Sequence, residues 1–272
     1  MRVVKAHAFG NDFLLVEESE IAVGVDRSAL ARGLCERHRG LGADGLIVSA
    51  FAPGASMRSF GTCVRMDLLN ADGSYSEVSG NGVRCLAAWI AKSRGLHVGE
   101  SVAVETDAGV KTLELLAIDG RRYTFRAAMG EPENVQRRTI DVDGVPIDAV
   151  TLRVGNPQCV VLGEVTALTD ERLHHVAAKL AVHPIFPAGS NVELATVEAP
   201  DRVRILIWER GVGPTEASGT GACASAVAAM RYGGAARDVQ VVSPGGSQRV
   251  EWTGDGLFLT GWAELVVEGT TF

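Results

Sequence analysis

Two short stretches of this chain carry the residue types from which acid–base chemistry at a carbon centre is built. Glu77-Val78-Ser79-Gly80-Asn81-Gly82 and Glu216-Ala217-Ser218-Gly219-Thr220-Gly221 share the pattern ExSGxG and stand about half a chain apart. Each runs into small and apolar residues, 83–91 and 222–230, which read as helices buried on every side. A glycine-rich turn entering a helix leaves backbone N–H groups unpaired, and the helix dipole adds positive potential. Such a turn can hold a carboxylate or a phosphate. Taken alone, either turn reads equally as an N-cap in which the serine only caps its helix. Two related turns, each ahead of a buried helix, point to one shared site. The mirrored pair Ser79 and Ser218 suits a reaction that inverts a stereocentre. One group must remove the α-proton from one face while another returns it to the opposite face.

The elements that must position these turns are also written twice. Gly10-Asn11-Asp12 recurs as Gly155-Asn156-Pro157, in the same order and at a similar offset as the ExSGxG pair, so two homologous halves are the economical explanation. Short β-type runs fall at 2–6, 12–16, 64–69, 101–106, 109–117 and 122–127 in the first half. In the second they fall at 151–154, 159–162, 191–196, 203–208, 239–242, 249–252 and 263–267. A fully buried helix among many strands predicts a curved sheet wrapped around it, once per half. Amphipathic helices over 28–37 and 169–180 would cover outer faces. The polar stretch 130–138 is the best candidate linker.

Composition bounds the remaining possibilities. The chain has 272 residues, 46% of them hydrophobic, which suits one large domain or two smaller ones. A net charge of −7 gives no footprint for nucleic acid or an anionic membrane surface. No apolar run approaches the roughly 20 residues that span a bilayer, and the first 16 residues read as strand, turn and strand, not as a signal peptide. Cys35, Cys63, Cys85, Cys159 and Cys223 are odd in number and include no CxxC pair, which argues against a disulfide framework or zinc site and for the cytoplasm. GxxxxGK[ST] is absent, SGNG does not match GxGxxG, and no HExxH or similar metal-ligand spacing is present. His38, His174 and His175 read as solvated surface residues.

At this point the residues match a known pattern. KAHAFGNDF at 5–13, NADGS at 70–74, SGNGVRC at 79–85, GNP at 155–157, GSNV at 189–192, ERGVG at 209–213, SGTGAC at 218–223 and SPGG at 243–246 occur in order along the chain. In that order and spacing they resemble the diaminopimelate epimerases from the first strand to the last. The resemblance implies an α+β fold of two pseudo-symmetric domains, each a β-barrel-like sheet around a central buried helix, with the active site between them. It places the first domain at 1–129, joined by the C-terminal strand 263–272, and the second at 130–262. It implies epimerisation of LL- to meso-diaminopimelate, a lysine and peptidoglycan precursor, with no cofactor and no metal, in a cytoplasmic homodimer. By motif position Asn11, Asn70, Asn156, Asn191, Glu209 and Arg210 would hold the two amino-acid ends of the substrate. The N–H groups of Gly80, Asn81, Gly219 and Thr220 would hold the α-carboxylate of the reacting end. Taken singly, any of these asparagines reads equally as a turn former.

Three positions depart from the family pattern. Its two catalytic cysteines fall at Ser79 and Ser218, and the histidine of its GNPH motif falls at Gln158. A serine hydroxyl is roughly five or more units weaker as an acid than a thiol, which adds on the order of 7 kcal/mol to forming the base. Helix-dipole stabilisation of about 1 kcal/mol does not close that gap. Cys85 and Cys223 lie inside the buried helices, where inert packing is expected. Glu77 and Glu216, two residues before each serine, could act as bases only if desolvated. Three readings follow. The first is a diaminopimelate epimerase whose cysteines were replaced by engineering or by divergence. The second is an isomerase or epimerase of another amino or hydroxy acid with Glu209 or another carboxylate as base. The third is a non-catalytic amino-acid-binding relic.

Overall fold

The computed structural model describes residues 1–51 and 63–271. The chain forms two compact units, one of Met1–Ala127 with Gly261–Phe272 and the other of Ala128–Thr260. Strands in chain order are β1 Arg2–Ala8, β2 Asn11–Glu17, β3 Gly45–Ala50, β4 Val64–Asn70, β5 Tyr75–Ser76, β6 Ser101–Thr106, β7 Gly109–Asp119 and β8 Arg122–Gly130. They continue with β9 Glu133–Val142, β10 Val145–Val154, β11 Asn156–Leu162, β12 Asn191–Ala199, β13 Arg202–Glu209, β14 Gly213–Thr215, β15 Asp238–Ser243, β16 Gly246–Thr253 and β17 Gly256–Thr270. The helices are α1 Arg27–Cys35, α2 Gly80–Arg94, α3 Asp170–Arg172, α4 Ala178–Ala181 and α5 Gly219–Ala228.

In the first unit the pairings run β1–β2–β3–β4–β6–β7–β8–β17 and return to β1, closing a ring. Within it β2 lies parallel to β3 and β4 parallel to β6. The second unit repeats the sequence of pairings through β9, β10, β11, β12, β13, β15, β16 and β17, with β11 parallel to β12 and β13 parallel to β15. Parallel neighbours need a crossover, and each unit supplies a helical one: α1 between β2 and β3, and the α3–α4 segment between β11 and β12. The architecture is α+β, with one helix inside each curved sheet.

Those inner helices are α2 and α5. In α2 every residue from Asn81 to Ala91 is buried, and in α5 every residue except Thr220 is. Ser79 caps α2, and Gly95 closes it at φ 66°, a left-handed conformation that glycine adopts without steric cost. The small residues of α5 let the strands approach closely, and Ala222, Ala226 and Val227 pack with Val160, Ala195, Ile205 and Ile207 in one core. Outside the sheets, Ala31 and Cys35 of α1 pack on Leu14, Val16, Leu46 and Val48, while Leu173, Ala177 and Leu180 cover Cys159, Val161, Val192 and Leu194. The strands β2, β3, β11 and β12 are therefore buried on both faces.

Sequence and structure part company at three places. The polar stretch 130–138 is mostly not a linker, because Glu133–Val142 is β9, paired along its length with β10 and exposed on much of its surface. Strand β3 escapes the alternation test because burial on both faces leaves it no polar side. The helix expected over 169–180 is interrupted by a π-helical turn at Leu173–Ala177, whose wider winding breaks the 3.6-residue period. Leu86 is fully buried in α2. Leu86→Ala is expected to lower unfolding free energy by about 2–5 kcal/mol, read by denaturant titration, because the surrounding ring collapses only partly onto the space.

Candidate active site

At the first turn Ser79 is extended, with φ −129° and ψ 123°, and its Oγ accepts the Gly82 N–H at 3.1 Å. The Val83 N–H makes the first helical bond to the Ser79 carbonyl at 2.8 Å, so the N–H groups of Gly80 and Asn81 precede the helical ladder. Gly82 sits in a tight place, since a methyl group there would come within 3.0 Å of Ile47 Cδ1 and 3.3 Å of Ser79 Cβ, and the Ile47 side chain would have to give way.

Around this turn a polar chain fixes the side chains. Arg84 donates to Asn81 Oδ1 and lies 5.7 Å from the centre of the Phe9 ring. Asn81 Nδ2 donates to Asn11 Oδ1 at 3.2 Å, and Asn11 Nδ2 donates to Asp44 Oδ2 at 2.7 Å. Arg37 reaches Asp44 at 2.8 Å and Asp12 at 3.0 Å, and Lys5 reaches Asp12 at 2.9 Å. The structure thus joins Asn11 and Asn81. Asn70, exposed at the end of β4, donates instead to Ser74 Oγ at 2.9 Å, as a turn former does. Burial raises the Asp12 carboxyl, but hydrogen bonds and charge from Lys5 and Arg37 outweigh it and hold the group below its ordinary range.

The second turn repeats the backbone and changes the chemistry. Ser218 has φ −136° and ψ 128°, and its Oγ accepts the Gly221 N–H at 3.2 Å and lies 3.5 Å from Thr220 Oγ1. Gly219 and Thr220 precede the first helical bond, from the Ala222 N–H to the Ser218 carbonyl at 3.0 Å. Glu209, at the end of β13, is half-buried; burial raises its carboxyl, and hydrogen bonding by the Ser218 hydroxyl opposes the rise. Asn191 Oδ1 accepts the Arg210 backbone N–H at 2.9 Å, and Arg210 Nη1 donates to the Ala188 carbonyl at 2.8 Å. Asn156 Oδ1 accepts from Gln158 Nε2 at 2.6 Å, with Gln158 fully buried opposite Asn191 in the β11–β12 register. Gln158 therefore fills the histidine position as a packed strand residue.

Several alternatives lose their footing. Glu77 and Glu216 are exposed, so neither is desolvated into a base. Cys85 and Cys223 are fully buried in their helices, and burial pushes the Cys85 thiol far above its usual range. His38, His174 and His175 are exposed, with His174 edge-on to Trp208 at 5.3 Å. Sequence reasoning missed the Lys5–Asp12–Arg37–Asp44 cluster and, in the second unit, a fully buried acid, Glu193. The signal for Glu193 was available: a charged residue in the otherwise apolar run Val192–Ala195 is out of place unless something uses it.

The sequence model of the family described as diaminopimelate epimerase matches residues 3–135 and 150–266. The chain belongs to the diaminopimelate epimerase family. It is 40% identical over 285 aligned positions to the diaminopimelate epimerase of Desulforudis audaxviator, covering 99% of this chain and 98% of that one. With the diaminopimelate epimerase of Desulfitobacterium hafniense the identity is 38%, covering 99% and 97%. Solved structures share the fold at much lower identity. A protein described as a predicted epimerase from Pseudomonas aeruginosa superposes with a TM-score of 0.71 at 16% identity, covering 99% of this chain and 98% of that one. A hydroxyproline epimerase from Agrobacterium vitis gives 0.67 at 16%, covering 100% and 90%.

The Asp12 cluster makes a test of how the first turn is held. A carboxyl lowered in the folded state stabilises above its unfolded pKa and loses that contribution as pH falls through the folded value. Asp12→Asn is expected to cost about 1.5–3 kcal/mol at neutral pH. The deficit should shrink as pH drops below about 4. Thermal melts of both proteins across that range measure it.

Proposed function

We propose that this chain interconverts LL- and meso-diaminopimelate without a cofactor, with Ser79 and Ser218 at the positions of the family's two acid–base groups. The observation that carries the reading is the Ser218–Glu209 couple. In a chain that matches the family over residues 3–135 and 150–266, the hydroxyl standing where a thiol is expected lies near enough to the half-buried Glu209 carboxyl to oppose its rise. A hydroxyl is too weak an acid to ionise alone, but an adjacent base can take its proton as it acts. Burial that raises Glu209 strengthens that base.

In the proposed reaction Ser218 Oγ takes the α-proton while its own proton passes to Glu209. The electron pair left on the α-carbon delocalises into the substrate carboxylate, which the N–H groups of Gly80, Asn81, Gly219 and Thr220 hold at the two helix N-termini. Ser79 then delivers its proton to the opposite face, and exchange with water resets both serines. In the reverse direction the Ser79 alkoxide left by that transfer takes the α-proton, while Ser218 returns its own proton to the other face and is reprotonated from Glu209. Asn11, Asn70, Asn156 and Asn191 would bind amino and carboxyl groups. Arg210, with its planar guanidinium, suits a distal carboxylate. We place the reaction in the cytoplasm, with a homodimer as the working form; no helix among the described residues is long and apolar enough to cross a membrane.

Proton–deuterium exchange at the α-carbon of LL-diaminopimelate, followed by NMR in D2O, tests this. Slow exchange with inversion is expected from the protein as it stands. Ser79→Cys with Ser218→Cys should raise the rate at least about tenfold, since a thiol removes most of the ionisation cost. No exchange in either protein would overturn the assignment of the pair. Exchange with another amino or hydroxy acid but not with diaminopimelate would move the chain to the second reading.

A further inference from the structure

The internal repeat makes an unequal comparison possible. In the first unit β2 and β3 pair Phe13 with Gly45, and in the second β11 and β12 pair Gln158 with Asn191. Two residues on from these, Ile47 and Glu193 occupy the same place in β3 and β12. Each lies under the second glycine of its turn. A methyl group on Gly82 would come within 3.0 Å of Ile47 Cδ1, and one on Gly221 within 2.6 Å of Glu193 Oε1. Along the next strand, Asn70 pairs with Gly45, and Glu209 stands two residues beyond Ile207, the partner of Glu193. The first turn is thus backed by Ile47 and Asn70, and the second by two carboxyls, Glu193 and Glu209.

Strand parity puts those carboxyls on one face. Residues two apart on a strand share a side, so Glu209 lies on the side of Ile207 and diagonal to Glu193. That side carries α5, since Ala195, Ile205 and Ile207 pack against its alanines. Glu193 is fully buried, and among the described residues neither of its carboxyl oxygens has a hydrogen-bond partner. An ionised carboxylate so placed would lack both solvent and a counter-charge, whereas the protonated acid is tolerated. Ile47 in the equivalent place shows that the fold itself does not need an acid there.

We propose that Glu193 is a positioning residue for Ser218, an uncharged carboxyl under the second turn that keeps Glu209 as the one ionised member of a carboxyl pair and so leaves it free to take the Ser218 proton. Two nearby carboxyls resist ionising together, and the more buried one keeps the shared proton. Burial and then Glu209 both push the Glu193 carboxyl well above the ordinary range. Among the described residues the other groups around it add no compensating cation. On β13 the neighbour is Glu209, and just past the strand the exposed Arg210 turns its guanidinium to the Ala188 carbonyl. On β11, Cys159 is raised by its own burial and by Glu193. Helix α5 offers only Cys223. The proposal rests on Ser218 and Glu209 acting as a couple, but the protonation of Glu193 is testable without turnover.

The experiment is a 13C NMR pH titration of the full chain labelled at the glutamate δ-carbons. One resonance is expected to stay at the neutral-acid position at pH 7 and to disappear in Glu193→Gln. In Glu209→Gln its midpoint should fall by at least about one pH unit, because the facing negative charge is gone. A Glu193 resonance that titrates with the exposed glutamates, or one indifferent to Glu209→Gln, overturns the pair. Melting gives a second measurement. A carboxyl raised in the folded state supports stability at low pH and loses that support as pH rises through its folded value, so Glu193→Gln should gain on the parent as pH rises from about 5 to about 9. A constant difference in melting temperature would overturn the proposal. Where exchange is measurable, Glu193→Gln should shift its alkaline limb, whereas a packing role would scale the whole profile and leave the limb in place. Absence of exchange together with a neutral Glu193 would sink the reading of function and leave the carboxyl pair standing.

Discussion

A helix buried on every side has to end somewhere, and in this protein the way α2 and α5 begin governs what the rest of the chain can do. Their first N–H groups leave water without entering the helical ladder, so each needs a partner that is not backbone of the same helix. Ser79 and Ser218 satisfy one donor each, from Gly82 and Gly221. The donors of Gly80, Asn81, Gly219 and Thr220 lie ahead of the first helical bond. Positive potential at these two points is therefore a by-product of burying a helix inside a sheet.

What distinguishes the two turns comes from the strands behind them. The first is braced sideways by Asn11, Asp44 and Arg84, a chain of neutral and charged hydrogen bonds around Asn81. The second is braced from below by acids. Duplication supplied equal backbones, and the side chains at matching strand positions have made them unequal: Ile47 against Glu193, Asn70 against Glu209. A reaction that must run in both directions does not need its two proton carriers to be equals; it needs each to be matched to the group it exchanges with. A serine at such a position raises that demand, because a hydroxyl depends far more on its neighbours for basicity than a thiol does.

Much of this was legible in the sequence where the determinants are local. Strand β6 falls on the run read at 101–106, and both buried helices fall where an all-round apolar pattern put them. The turns were found because glycine, serine and a following apolar run are consecutive. What escaped depends on partners far along the chain. Glu133–Val142 reads as a polar connector until β10 pairs with it. Gly45–Ala50 lacks alternation because α1 and α2 cover its two faces. Glu193 has no motif around it, and its meaning comes from standing on the same face as Glu209 and beneath Gly221, which only the β12–β13 register reveals.

Strand β17 has a consequence for how the chain is made. Its first residues, Gly256–Thr260, belong to the second unit, and the rest complete the ring of the first by pairing with β1 and β8. All of Ala128–Thr260 is translated before those closing residues. The half encoded first therefore cannot close its ring until the whole of the second has been translated, and until then β1 and β8 are open edges. Open edges invite pairing with other chains. Through most of synthesis, then, the earlier half carries two open edges, which the later part of β17 covers.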